Sequence, residues 1–163
     1  MIEMKVAGVI LDSQSKHPIV MLRDMEERRA LLIWIGEPEA NAILLALEGI
    51  QTPRPMTHDL LQNVLEMLET PVTRVLITSM KEQTFFAELE CQRDGKTLNI
   101  DARPSDAIAI ALRASAPIFV ADEVVEENAI PINAGASEEE EEAKFREFIE
   151  NVKPGDFGKY SKD

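Results

Sequence analysis

Residues 6–47 and 73–114 follow one plan at a constant offset of 67 positions, and few folds accommodate such a plan. Val9 and Ile10 fall opposite Leu76 and Ile77, Leu22 opposite Leu89, and Leu31 and Ile33 opposite Leu98 and Ile100. Glu39, Ala40, Ile43 and Leu45 then fall opposite Asp106, Ala107, Ile110 and Leu112. In the first stretch "VAGVILDS" (6–13), "PIVMLRD" (18–24) and "RALLIWI" (29–35) are short, apolar and partly β-branched. Polar turns separate them, which suits an antiparallel meander. "EPEANAILLALEGI" then places Ala40, Ile43, Leu44 and Leu47 at helical spacing, with Gly49 as the stop. In the second stretch "TRVLITSM", "TFFAELEC" and "KTLNIDA" are three more strands, and Asp94-Gly95 marks a tight hairpin. The helix from Asp106 to Arg113 is apolar on nearly every side, so burial on most sides is expected. The expected fold class is α+β, built from duplicated three-strand-plus-helix units. An ungapped offset favours duplication over two meanders that share a common local plan.

Between the units, "QTPRPMTHDLLQNVLEMLET" reads as a linking helix with Thr57 as N-cap. Leu61, Val64, Leu65 and Leu68 form its apolar stripe, which ends at Thr70-Pro71. After the second unit, "APIFVADEVV" reads as a last short strand followed by an acidic loop. Ser137 and Glu140 have capping-box spacing, and Phe145, Phe148, Ile149 and Val152 lie on one helical face. A C-terminal amphipathic docking helix at about 138–152 is expected. The 163 residues read as one domain with its core in 5–125.

The 45% hydrophobic content can fill a core without a disulfide or structural metal, and Cys91 stands alone. "MIEMKVAGVILD" interrupts its apolar residues with charges, unlike a signal peptide, and no stretch reaches membrane-spanning length. A soluble cytoplasmic protein is expected. The net charge of −13 opposes generic nucleic-acid binding, and 21 acids against 12 bases remain in residues 1–136. Nucleic-acid chemistry would therefore need a local basic patch or bound cations. The phosphate loop, dinucleotide fingerprint, G-x-S-x-G elbow and H-E-x-x-H motif are all absent. With only His17 and His58, a metal site would be mostly carboxylate, suited to Mg²⁺, Mn²⁺ or Ca²⁺. No organic cofactor is expected.

Two polar clusters exceed what helix starts require. In "RPMTHDL" (54–60), Thr57 and Asp59 suit a helix N-terminus, while Arg54 and His58 have no such duty. In "DARPSDAIAIAL" (101–112), either Ser105 is the N-cap or Pro104 occupies the first turn with Ser105 and Asp106 beside it. Asp101 and Arg103 remain unexplained where a strand hands over to a helix, and the matching positions in the first unit are Trp34 and Gly36.

"LLIWIGEPEANAI", "RPMTHDLL" and "IDARPSDAIAIALR", in this order, resemble the bifunctional nuclease domain family over about residues 5–125. "FREFIENVKPGDF" resembles the family's final helix. The resemblance implies an α+β domain, assembly into homo-oligomers and a nuclease acting on DNA and RNA. Its matched polar positions are Glu39, Arg54, Thr57, His58, Asp59, Asp101, Arg103, Ser105 and Asp106. Phosphodiester hydrolysis needs charge stabilisation, an activated water and a proton donor for the leaving group. In a nuclease reading, His58, Asp101 and Asp106 are catalytic, and Arg54, Arg103, Thr57 and Ser105 bind substrate. Asp59, Asp101 and Asp106 then hold Mg²⁺ or Mn²⁺ that activates water. In the competing reading the chain is a non-catalytic assembly module, a dimer first of all, with Arg103 paired to Asp59 or Asp106 in a structural network.

Overall fold

Hydrophobic alternation and turn chemistry organise this chain around a single sheet. The computed structural model describes residues 1–132 and, beyond them, Glu140, Ala143, Arg146 and Glu147. Strands β1 (Ile2–Leu11), β2 (Pro18–Asp24) and β3 (Arg29–Trp34) form one antiparallel meander. Strands β4 (Val72–Lys81), β5 (Thr84–Arg93) and β6 (Lys96–Ala102) form the other. Strand β7 (Ile118–Val120) joins them, parallel to β4 and antiparallel to β1. Strand β8 (Ile130–Pro131) pairs with β3, so the order is β6-β5-β4-β7-β1-β2-β3-β8.

Helices α1 (Glu37–Leu47), α2 (Thr57–Met67), α3 (Pro104–Ala114) and α4 (Asp122–Asn128) contribute to one core on one face of this sheet. That core joins Ile43 of α1, Leu65 of α2, Ile108 and Ile110 of α3 and Val125 of α4 to Leu22, Leu31, Val75, Ile77, Ala87 and Val120. Ile19, Met21, Ala30, Leu32 and Trp34 form a second buried cluster on the opposite face of β2 and β3. Burial of both faces explains why these two strands read as continuous apolar runs rather than alternating ones.

The two units share their order of elements, and α1 and α3 begin and end 67 positions apart. Their ladders differ. Val20 pairs with Ile33, whereas Ile100, the match of Ile33, pairs with Leu89 rather than with Ala87, the match of Val20. The turns supply the reason. Asp94 and Gly95 both take positive φ, as a two-residue hairpin requires, and pairing runs down to Arg93 and Lys96. In the first unit Asp24 ends the ladder by turning its carboxylate onto the N–H groups of Arg28 and Arg29 at 2.8 and 3.2 Å. A shift of two residues leaves every side chain on its original face.

Several elements depart from expectation. Helix α2 is N-capped by Met56, and Thr57 is its first helical residue. Asp59, in the third helical position, accepts the Met56 N–H at 2.9 Å and so extends the helix start upstream. The α2 stripe is mostly uncovered: Leu65 is buried, but Leu61, Val64 and Leu68 are exposed. The acidic stretch after β7 is helix α4 rather than a loop, because Val124 and Val125 one turn in find the core. Helix α3 takes the second of its two starts, with Arg103 as N-cap and Pro104 in the first helical position. The Ser137 capping box and the apolar face of the C-terminal helix lie outside the described residues. Glu140, Ala143, Arg146 and Glu147 are helical and exposed.

Candidate functional site

Each of α1, α2 and α3 carries a carboxylate at its third helical residue: Glu39, Asp59 and Asp106. An acid there ordinarily faces the positive end of the helix dipole. Here tertiary packing turns all three onto side chains from other elements.

Asp106 is the centre. Its Oδ1 lies 2.8 Å from His58 Nε2 on α2, and its Oδ2 accepts Arg103 Nε at 2.7 Å. Arg103 also donates through Nη2 to Glu39 Oε1 at 2.9 Å, tying α3 to the start of α1. Burial alone would push the Asp106 carboxyl up, but hydrogen bonds from His58 and Arg103 and their charges outweigh it and hold the group below its ordinary value. In the neutral form of the imidazole, an ionised carboxylate at Nε2 selects the tautomer with its proton there and a lone pair on Nδ1. The His58 side chain is 13% exposed and that of Asp106 28%, so the pair sits at a partly covered surface.

Arg113, in the last turn of α3, forms the second half of the network. Its Nε donates to Asp59 Oδ1 at 2.7 Å, its Nη1 to the Ala109 carbonyl at 2.9 Å and its Nη2 to the Ala42 carbonyl at 3.1 Å. One side chain thus links all three helices. The Met56 N–H foremost, then Arg113, holds the Asp59 carboxyl below its ordinary value. Nothing in the local sequence announces Arg113, since its acidic partner lies 54 positions away. Gly36, which stands out in the sequence only as the first-unit counterpart of Arg103, also shapes this network. A Cβ built there would collide with the Glu39 carboxylate, so glycine leaves that group free to meet Arg103.

The predicted residues therefore divide. His58, Arg103, Asp106 and Glu39 are joined by direct contacts, and Asp59 is tied to the same helices through Arg113. Ser105 is buried in the first turn of α3, and Thr57 is exposed in the first turn of α2. Arg54 is exposed in the loop before α2, its carbonyl accepting Thr52 Oγ1 at 2.6 Å. Its guanidinium has no partner among the described residues. Asp101 lies elsewhere. It pairs with Glu88 in the ladder while its neighbours Ile100 and Ala102 pair with the core residues Leu89 and Ala87. Strand alternation therefore puts Asp101 on the sheet face away from the helices.

This placement does not suit a metal held by Asp59, Asp101 and Asp106. Both oxygens of Asp59 and of Asp106 are engaged, and Asp101 faces the other way. Among the described residues no group of three His, Cys, Asp or Glu side chains is placed to hold an ion. Nor is any helix among them long and apolar enough to cross a membrane.

The family model for the bifunctional nuclease domain matches residues 20–133, which include every member of this network. Uncharacterized protein Rv1829 of Mycobacterium tuberculosis is 37% identical over 162 residues, covering 95% of this chain and 97% of that protein. Bifunctional nuclease 1 of Oryza sativa subsp. indica is 32% identical over 126 residues, 74% of this chain and 38% of the rice protein. Bifunctional nuclease 1 of Arabidopsis thaliana is 31% identical over 118 residues, 69% of this chain and 36% of the Arabidopsis protein. The match thus covers less than half the length of the plant proteins.

Proposed function

The chain belongs to the bifunctional nuclease domain family, and from that premise we propose that it is a cytoplasmic nuclease whose His58–Asp106 pair hydrolyses phosphodiester bonds in DNA and RNA. The 2.8 Å contact between His58 Nε2 and Asp106 carries this reading. It leaves Nδ1 as a base with fixed orientation, the arrangement general acid–base chemistry needs. His58 takes a proton from the attacking water and returns one to the leaving oxygen. A water nucleophile is required because DNA has no 2′-hydroxyl. Asp106 orients the ring and stabilises its charged form.

Phosphate charge falls to the arginines. Arg103 spends two of its five N–H groups on Asp106 and Glu39, and its side chain is 65% exposed. Three donors remain for a phosphate on a guanidinium whose position is already set. Arg54 supplies the second cation, and Thr57 an exposed hydroxyl in the same first turn as His58. Asp106 and Glu39 offset the charge of Arg103, so Arg54 is the cation left to draw a polyanion towards a chain of net charge −13. No step in this scheme passes through a metal ion.

The test is cleavage of labelled single-stranded DNA and RNA by purified protein with Mg²⁺, Mn²⁺ or EDTA. His58→Gln is expected to lose at least about a hundredfold in rate, the scale of general acid–base catalysis. Asp101→Ala separates two schemes: a metal-binding carboxylate predicts loss, and its place on the far face predicts retention. Cleavage abolished by EDTA would remove the metal-free scheme, and a fully active His58→Gln would remove His58.

The second reading is a homo-oligomeric assembly module in which the same network is structural. It is favoured by the saturation of Asp59 and Asp106 and by the way Arg103 and Arg113 join three helices. It expects the His58 and Arg103 variants to lose stability while no cleavage is found in any of them.

A further inference from the structure

The two edges of the sheet are unlike. Edge strand β8 has two residues and ends in Pro131, a short edge that cannot template further pairing. Edge strand β6 has seven residues, none of them proline, and pairs with β5 without a bulge. Its outer backbone groups have no partner among the described residues. Natural sheets blunt such edges with inward charges, prolines or covering elements. Strand β6 instead presents Leu98 and Ile100, both exposed, on the face that carries the helices.

Helix α2 extends this apolar strip. Its end turns through Thr70 and Pro71 into β4, and the Pro71 carbonyl accepts the Gln92 N–H at 3.1 Å. The adjacent Cys91 pairs with both Val72 and Leu98, so the end of α2 lies beside the start of β6. Leu60, Leu61, Val64 and Met67 are exposed on α2, as is Leu68 at its C-cap. Together with Leu98 and Ile100, these seven side chains range from 40% exposed at Ile100 to 84% at Met67. They offer roughly 600 Å² of apolar surface, the upper end of what a monomer shows and most of the area one partner contributes to a standard interface.

We propose that β6 and α2 form the dimer interface of this protein, with a second copy of the chain as the occupant. This rests on the assembly property named above and assigns it a surface. A two-fold axis perpendicular to the sheet at Asn99 makes the two β6 strands antiparallel neighbours and continues one sheet through both copies. Leu98 then lies opposite Ile100 of the second copy, and Thr97 opposite its Asp101, with no like charges opposed. Because this axis keeps both helix layers on the same side, the exposed faces of the two α2 helices cover one another. A self-complementary surface of this kind closes as a dimer and leaves no edge for further growth.

The full chain is tested by sedimentation over roughly a hundredfold range of concentration, since self-association follows mass action. A wild-type dimer is expected. Leu98→Lys/Ile100→Lys should sediment as a monomer with an unchanged circular dichroism spectrum. Should that pair fail to fold, Leu61→Glu/Val64→Lys on the exposed face of α2 carries the same expectation. Asn99→Cys places two thiols opposite each other within disulfide reach across an antiparallel pair, so mild oxidation should give a covalent dimer. Native Cys91 is buried and does not compete. A wild-type monomer at every concentration would remove both self-assembly and this surface. An oligomer that persists in the charged variants and fails to cross-link at Asn99 would remove this surface alone.

Discussion

Replacing Asp106 with Asn changes one atom type and keeps the shape. The carbonyl of the amide can still accept from His58 Nε2, but the ionised oxygen facing Arg103 Nε is gone. The Arg103 contact is largely solvent-exposed and contributes about 0–1 kcal/mol. The His58 contact is partly buried, and trading a charged acceptor for a neutral one there costs about 1 kcal/mol, half of a charge-assisted bond. A total of about 1–2 kcal/mol lowers the melting temperature by roughly 2–8 °C for a chain of this size. The sign with pH follows from the direction of the shift. The folded Asp106 carboxyl lies below its unfolded value, so its contribution is present above the unfolded carboxylate value and is lost as pH falls through the folded one. Urea unfolding followed by circular dichroism should therefore separate wild type from Asp106→Asn at pH 7 and bring them together towards about pH 3. Cleavage should fall further than stability, by a factor of at least about 10², because the imidazole loses the anion that supports its charged form. A stability difference of equal size at both pH values would refute the claim that charge on Asp106 matters. Full cleavage by the folded variant would refute its catalytic role.

Other residues give sharper structural tests. Arg113→Ala should cost about 3 kcal/mol, because it strips Asp59 of its cation and removes the side-chain tie from α3 to the Ala42 carbonyl of α1; Arg113→Lys should recover little, lacking the planar fork, and denaturant midpoints would decide. Asp24→Ala should cost about 2–3 kcal/mol by releasing the Arg28 and Arg29 N–H groups from a buried acceptor. Burial alone would raise the Asp24 carboxyl, yet those N–H groups hold it low, so the loss should shrink as the solution is taken below about pH 4. Gly36→Ala should displace Glu39 and free one arm of Arg103, weakening substrate binding more than folding, which a rise in KM with near-normal kcat would register.

The amino-acid sequence by itself determined the elements and much of the chemistry. Periodicity placed six strands and the helices α1 and α3, and Asp94-Gly95 fixed its hairpin, because these depend on neighbours a few positions apart. The three motif segments supplied His58, Arg103, Asp106 and Glu39 before any of their contacts were known. Only the tertiary structure decided which of them meet. His58 and Asp106 are 48 positions apart, and Asp59 and Arg113 are 54 apart. No local pattern ties such pairs; the crossing of α2 over α3 does. Asp101, grouped with Arg103 by proximity in the chain, belongs to the other face of the sheet because a strand reverses its side-chain direction at every residue. The stripe on α2 was equally legible, and its meaning was not. An apolar face states that something must cover it, whereas tertiary packing determines that, of this stripe, the described residues bury Leu65 alone.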